Sequence, residues 1–315
     1  MHSGRKDASW KRAIRFMFHT MFHVKTSANW LRFLSGNSVL ANSTTEATFF
    51  DRIHRPFFDK RSNTRQRTQL LLAHFDILTH ILDAKQLQSV MSGSGINLAS
   101  LIGKTGEVID VNLTRFPDFD KEGGASLELT VDGKTILLLT FTLTRKYNNI
   151  ALTIGGIQSR EHAQTDCRTL LRDATHALHG IQPRILMIET LRSIAQQLAC
   201  NTIECVNENN HIYRALRYRN KRVIHAQYNQ LWLLVGGIEM TNGNFSIPSF
   251  VEEKSIESRP SKKRNEYRNR ATLLHSVRTQ VCEVIPPFSL INKNTNAAAT
   301  VKIDAIFSNT TIEAL

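Results

Sequence analysis

Acidic residues are in short supply in this chain. Only 27 Asp and Glu stand against 40 Lys and Arg, a net charge of +13. That imbalance favours polyanionic partners: nucleic acid, anionic lipid, nucleotide phosphates or acidic glycolipid. A surface that is simply basic is the plainer alternative. Cysteine is sparse too. Cys167, Cys200, Cys205 and Cys282 make no CxxC and no metal-ligand spacing, so a reduced, cytoplasmic chain without a metal is expected. No run of about 18 apolar residues occurs, so no transmembrane helix is expected. The opening MHSGRKDASWKRAIRFMFHTMF is basic but lacks a pure apolar core and a small-residue cleavage site, and reads as retained. There is no Walker loop, HExxH, nucleophile elbow or GxGxxG, which removes the easiest enzyme assignments. No internal repeat is visible.

What is present is enough for a sizeable core: 315 residues, 41% of them hydrophobic. In SWKRAIRFMFHTMFHV (9–24), Trp10, Ile14, Met17, Phe18 and Met21 fall on one helical stripe, with Lys11, Arg12, Arg15 and His19 elsewhere. Such a helix can lie on an anionic membrane surface. The plainer expectation is a helix docked on the domain with its basic side wet. RIHRPFFDKR (52–61) reads as a packed lead-in to a helix over 61–82 capped by Ser62, Asn63 or Thr64. From about 107 to 156 the period becomes two: EVIDVNL, ASLELTV, KTILLLTFTLTR and IALTIGG predict an antiparallel meander, with Asp132-Gly133 as a tight turn. Two helices follow, Thr165 to Leu178 and Arg184 to Ala199, then a short strand, TIECV (202–206), joining the sheet edge-on and parallel to an earlier strand. The fold class is therefore α+β: a helical N-terminal region packed on an antiparallel meander, then a β-loop-α-β unit. The expected organisation is a basic helical segment at 1–47, an α+β domain at 48–285 with its core about 105–240, and a loosely ordered tail at 286–315.

Four stretches could carry chemistry. In IGGIQSR (154–160), Gly155 and Gly156 permit close backbone approach by a ligand, or simply end a strand. In HALHGIQPRILM (176–187), Gly180, Gln182 and Arg184 could cradle a phosphate at a helix start. Gly180 as helix stop and Pro183 as helix starter explain the same residues. VNENNHIYR (206–214) offers His211 and Tyr213 as proton-transfer groups and Asn207, Asn209 and Asn210 to orient a carbonyl or hydroxyl. The bland reading is a capped turn in which Tyr213 packs. Finally, RALRYRNKR and SKKRNEYRNR hold Arg214, Arg217, Arg219, Lys221, Arg222, Lys262, Lys263, Arg264, Arg268 and Arg270. These suit phosphates or anionic headgroups, or they line solvated helix faces.

IGGIQ, HALHG-x-x-P-R, N-x-x-HIYR and PSKKR-x-EYRxR, in this order and spacing from about 48 to 281, closely resemble the VirK/YbjX family of Gram-negative bacteria, and RPFFDKR resembles its N-terminal block. The resemblance implies a role in virulence, envelope integrity and resistance to cationic antimicrobial peptides. It also implies carboxylates before Gly236-Gly237, where this chain has Asn229, Leu233 and Leu234. The order of elements is similar to GNAT acyltransferases. That likeness implies an acyl-coenzyme A donor, with Gly180, Gln182 and Arg184 by its pyrophosphate and Asn207 and Tyr213 near the thioester. The usual RxxGxG/A loop is absent and the helix at 165–178 is extra. The expectation is a cytoplasmic protein, peripheral at the inner face of the membrane, that transfers an acyl or other group to an anionic acceptor. The rival is a basic adaptor that binds an anionic membrane surface or glycolipid, nucleic acid or a protein partner.

Overall fold

The computed structural model describes residues 6–43, 49–146, 149–160, 166–218, 227–252 and 255–288. In chain order come α1 (Lys6–Phe22), α2 (Val24–Ser35), α3 (Ser38–Ser43), α4 (Thr64–Ile81) and α5 (Ala84–Ser92). The strands β1 (Ile96–Ile102), β2 (Val108–Thr114), β3 (Ala125–Val131), β4 (Lys134–Lys146) and β5 (Asn149–Ser159) follow. Then come α6 (Cys167–Ala177), α7 (Pro183–Gln197), β6 (Thr202–Cys205), α8 (Tyr228–Leu234), β7 (Ile238–Glu239), β8 (Phe245–Pro248) and α9 (Arg264–Val284). This is the expected α+β class. The side chains of Trp10, Lys11 and Arg12, the segment with Arg219, Lys221 and Arg222, and the tail from 289 lie outside the described residues.

The sheet runs β1-β2-β3-β4-β5-β6-β8-β7. β1 to β5 form the meander. Asp132 and Gly133 both take positive φ (49° and 74°), as a two-residue hairpin turn requires. β6 lies parallel to β5, as expected, but it is no edge: β8 pairs antiparallel on its far side and β7 beyond that. Residues Ile136 to Thr144 of β4 are buried on both faces; α4 packs across this strand and α7 across β3 to β6. The outer edge of β1 is covered by α9, where the Gln280 amide donates to the Ser100 carbonyl (3.0 Å) and accepts from its N–H (2.9 Å). Such a cover removes an edge on which another strand could pair.

Local chemistry sets the helix boundaries. α4 starts at a reciprocal capping box between Asn63 and Gln66, and α5 at one between Asp83 and Gln86. α7 begins with Pro183, whose missing N–H costs nothing at a helix start. The basic stretch at 264–270 is the first part of α9, continuous with the rest of that helix to Val284. Trp30, Leu34 and Leu40 of the N-terminal helices share one hydrophobic core with the sheet. α1 departs from expectation. Its apolar stripe does not dock: Ile14, Met17, Phe18 and Met21 face outward.

Candidate functional site

β5 and β6 pair over three residues, Leu152–Ile154 against Ile203–Cys205, and then part. At that point β5 is out of step with β4: Thr140 faces Gly156 and Phe141 faces Ile154, leaving Gly155 as the extra residue of a bulge. Three loops converge on the bulge. The first is the lead-in to α4, with Phe58 N–H bonded to the Lys121 carbonyl (2.7 Å) and Asp59 bridging His211. The second, between β2 and β3, carries Glu122. The third is the turn after β6, which carries His211.

The β2–β3 loop is held by two buried arginines. Arg115 makes a bidentate pair with Asp120 (3.0 and 2.6 Å) and lies over the Phe49 ring. Arg52 donates to the Asp120 and Gly123 carbonyls (2.8 and 2.9 Å). The loop presents Glu122, fully buried, to the sheet. A Cβ at Gly155 would overlap the Glu122 backbone carbonyl, and one at Gly156 would overlap its carboxyl group. Gln158 donates to Glu122 Oε1 (2.6 Å). His211 Nε2 lies 3.9 Å from Glu122 Oε2. Its Nδ1 accepts the Tyr213 N–H (3.3 Å), which leaves the ring proton on Nε2.

Burial dominates the electrostatics here. It pushes the His211 imidazole down to about 4, against the upward pull of the Gly155 carbonyl, with Arg214 lowering it further. Near neutrality the ring is therefore uncharged, and the contact with Glu122 is no ion pair. Tyr228 stacks on His211 (5.4 Å) and donates to the Ile157 carbonyl (3.2 Å). Its phenol is pushed well above the usual range by burial first and by Glu122 second, while Arg184 pulls it the other way. Arg184, at the first turn of α7, is thus within electrostatic reach of the cluster. Trp232 stacks on Tyr228 (6.0 Å) and donates to the Val206 carbonyl (3.0 Å).

The structure brings His211, Tyr213, Gly155 and Gly156 together with Glu122, Gln158 and Tyr228, and sets Arg184 nearby. Tyr213 packs on His211 (5.1 Å) and Tyr218 (6.3 Å). Asn207 is committed to the turn: it donates to the Gly243 carbonyl (2.6 Å) and accepts from Asn209 N–H (2.6 Å). Asn210 binds the Asn242 carbonyl and Asn244, so these asparagines tie the turn to the β7–β8 connection. Asn229 trades hydrogen bonds with Glu208, joining α8 to the same turn (3.1 Å each). Gly180 faces α9 instead. It has φ +83°, and a Cβ there would meet the Arg270 guanidinium, which donates to the His179 carbonyl (2.7 Å). Gln182 is exposed at the N-cap of α7. Arg214, next to Tyr213 in the chain, is exposed but acts on the His211 ring by its charge, whereas Arg217, Lys262, Lys263, Arg264 and Arg268 are exposed and make no hydrogen bond or ion pair with the cluster. Glu122, Gln158 and Tyr228 are absent from the sequence-based candidates. Glu122 sits in an irregular loop, where periodicity says nothing, and only its partnership with two distant glycines marks it.

A family model described as "Protein of unknown function (DUF535)" matches residues 5–283. The "Uncharacterized protein YbjX" of Escherichia coli (strain K12) is 31% identical over 276 residues, covering 85% of this chain and 81% of the relative. An "Uncharacterized protein" of Haemophilus influenzae is 31% identical over 125 residues, 39% of this chain and 40% of that one. No solved structure matches.

Proposed function

This chain belongs to the DUF535 family of proteins of unknown function, the VirK/YbjX family, and on that footing we propose that it transfers an acyl or related group from an acyl-coenzyme A-type donor to an anionic acceptor of the bacterial envelope. The observation that supports this best is the parting of the parallel pair β5–β6 at the Gly155 bulge, with the start of α7 nearby. In sheets with parallel strands, ligands favour the carboxyl ends of strands where connectivity switches. A helix start with a cation suits a phosphate there. Meander, helix and parallel strand also come in the GNAT order, with α7 in the place of the central helix.

In this reading Arg184 and Gln182 hold the donor's phosphates. Gly155 and Gly156 let Glu122 sit directly against β5 beside the reacting centre. His211 takes the acceptor's proton through Nδ1 once the Tyr213 N–H releases that nitrogen; the acceptor bonds to the acyl carbon as the thioester C–S bond breaks, Glu122 faces the imidazolium at Nε2, and the proton then passes to the departing coenzyme A thiolate. Asn207 contributes by fixing the turn, and Tyr213 by holding the His211 ring. Because His211 and Glu122 are sealed from solvent, donor binding has to lift the turn at 207–213 from β5. Thermal unfolding with acetyl- and long-chain acyl-coenzyme A tests this. At a hundredfold excess over Kd the donor adds about 2.7 kcal/mol of stability, and Arg184→Ala lowers its affinity at least tenfold. No shift with either thioester overturns the transferase.

The exposed run Lys262, Lys263, Arg264 and Arg268 favours a second reading, an adaptor for a polyanion. It predicts that neutralising 262–264 abolishes heparin binding, with a steep salt dependence in the wild type, while acyl-coenzyme A has no effect.

A further inference from the structure

Among its described side chains, α1 meets the rest of the protein along one side. Phe16 packs edge-on against Phe50 and His54, with ring centroids 4.8 and 5.3 Å apart, and His19 stacks on His54 at 5.5 Å. Ile14, Met17, Phe18, Met21 and Phe22 point away and are 51–75% exposed. Their spacing, i, i+3, i+4, i+7 and i+8, makes them one continuous stripe. The rings of Phe18 and Phe22 pack on each other in the open, 5.0 Å apart. Exposed Val24 and Leu31 follow on α2. Scattered surface apolar residues are ordinary, but a contiguous stripe of five on one helix marks a surface meant to be covered.

Charge identifies the cover. Beside the stripe lies a cavity of about 220 Å³ lined by Arg15, His19, Asp51, His54, Arg55 and Arg217, with Phe16 at its side. Asp51 is the only acid among these, and Arg55 already pairs with it. Arg15 and Arg217 therefore add positive charge that no lining carboxylate offsets. His19 joins the two features: it lines the cavity, and its ring lies 6.2 Å from that of Phe18. Exposed Lys25 and Arg32 on α2 extend the basic rim. A second copy of a chain with net charge +13 would bring like charge to the same place. Large apolar side chains flanked by arginines, with phosphate-sized space beneath, match the interface of an anionic bilayer.

The geometry points to the outward face of α1 and the first turns of α2 as a docking surface for an anionic lipid bilayer, with lipid phosphates at the Arg15–Arg217 cavity. The inference is independent of acyl transfer, and its test contains no thioester. The full-length protein is floated with phosphatidylglycerol–phosphatidylcholine vesicles and with pure phosphatidylcholine vesicles. Wild type binds the anionic vesicles and prefers them at least tenfold. Phe18→Ser/Met21→Ser/Phe22→Ser loses at least tenfold in binding at unchanged thermal stability, since these side chains touch little. Arg15→Gln/Arg217→Gln keeps residual binding but loses most of the anionic preference and its salt dependence. Absence of wild-type binding overturns the inference, as does undiminished binding by the serine variant. A wild-type dimer that the serine variant dissolves would likewise overturn it, by assigning the stripe to a second copy.

Discussion

Gly155 is constrained by what touches it, not by its own torsion angles. It carries no positive φ, yet a Cβ there would overlap the Glu122 carbonyl, which is backbone and cannot swing aside. Gly155→Ala should therefore cost about 3 kcal/mol or more, read as a lower urea midpoint. Gly36→Ala, whose added carbon meets nothing nearer than 3.5 Å, should stay within about 0.5 kcal/mol. Equal losses at the two positions would contradict this packing. Arg115 is the other residue to test. It is buried against Asp120, and removing it strands a carboxylate that keeps only the more distant Arg52 guanidinium, 3.6 Å away. Arg115→Ala should destabilise by about 3–5 kcal/mol, again visible in denaturant melts. The glycine pair was legible in the sequence as a place of close approach. What approaches was not: Glu122 is 33 residues away in a loop without a period.

Among the elements, period and turn chemistry located β2 to β5, α4 and α7 within a few residues, because those segments bury long faces. β1 escaped because it buries only Leu98, Ala99 and Leu101 of its seven residues, so its alternation is weak. β7 and β8 span two and four residues, too short for any period to register. α1 was legible as an amphipathic helix, but the sequence could not show which side docks, since the described side chains that meet the domain are Phe16, His19 and Thr20, against Phe50 and His54. The sequence left Gly180 open between helix stop and phosphate cradle; its φ of +83° satisfies the first. The space over it belongs to Arg270, whose guanidinium ties α9 to the end of α6 through the His179 carbonyl. Arg270→Ala should cost about 1–2 kcal/mol, measured in thermal melts, and should leave the affinity for any coenzyme A thioester bound at Arg184 unchanged.

For the whole molecule, three buried imidazoles set the response to acid. Burial lowers His54 and His211 to about 4 and His74 to about 3. His19, His23 and Arg67 add to the effect at His54, and Arg52 at His74. In the unfolded chain all three titrate near 6.5, so above that pH they are neutral in both states and have no effect on stability. As the pH falls from about 6.5 towards 4, the unfolded chain takes up protons that the folded one refuses. Stability then declines by up to roughly 1.4 kcal/mol per pH unit for each histidine. Melting temperature should fall across this window. The fall should be shallower in His74→Gln, whose amide oxygen can still accept the Leu143 N–H now received by Nδ1. A flat profile from pH 7 to 4.5 would contradict the neutral state of these rings.

The brevity of β6 has a mechanical consequence. Within the sheet, four residues, three of them paired to β5, link the hairpin β7–β8 to the five-stranded meander. Amides along the meander should exchange with solvent deuterium as a single slow block, and those of β6 and β8 much sooner. The sheet thus has a seam where it would breathe, and the imidazole-bearing turn hangs from that seam's end.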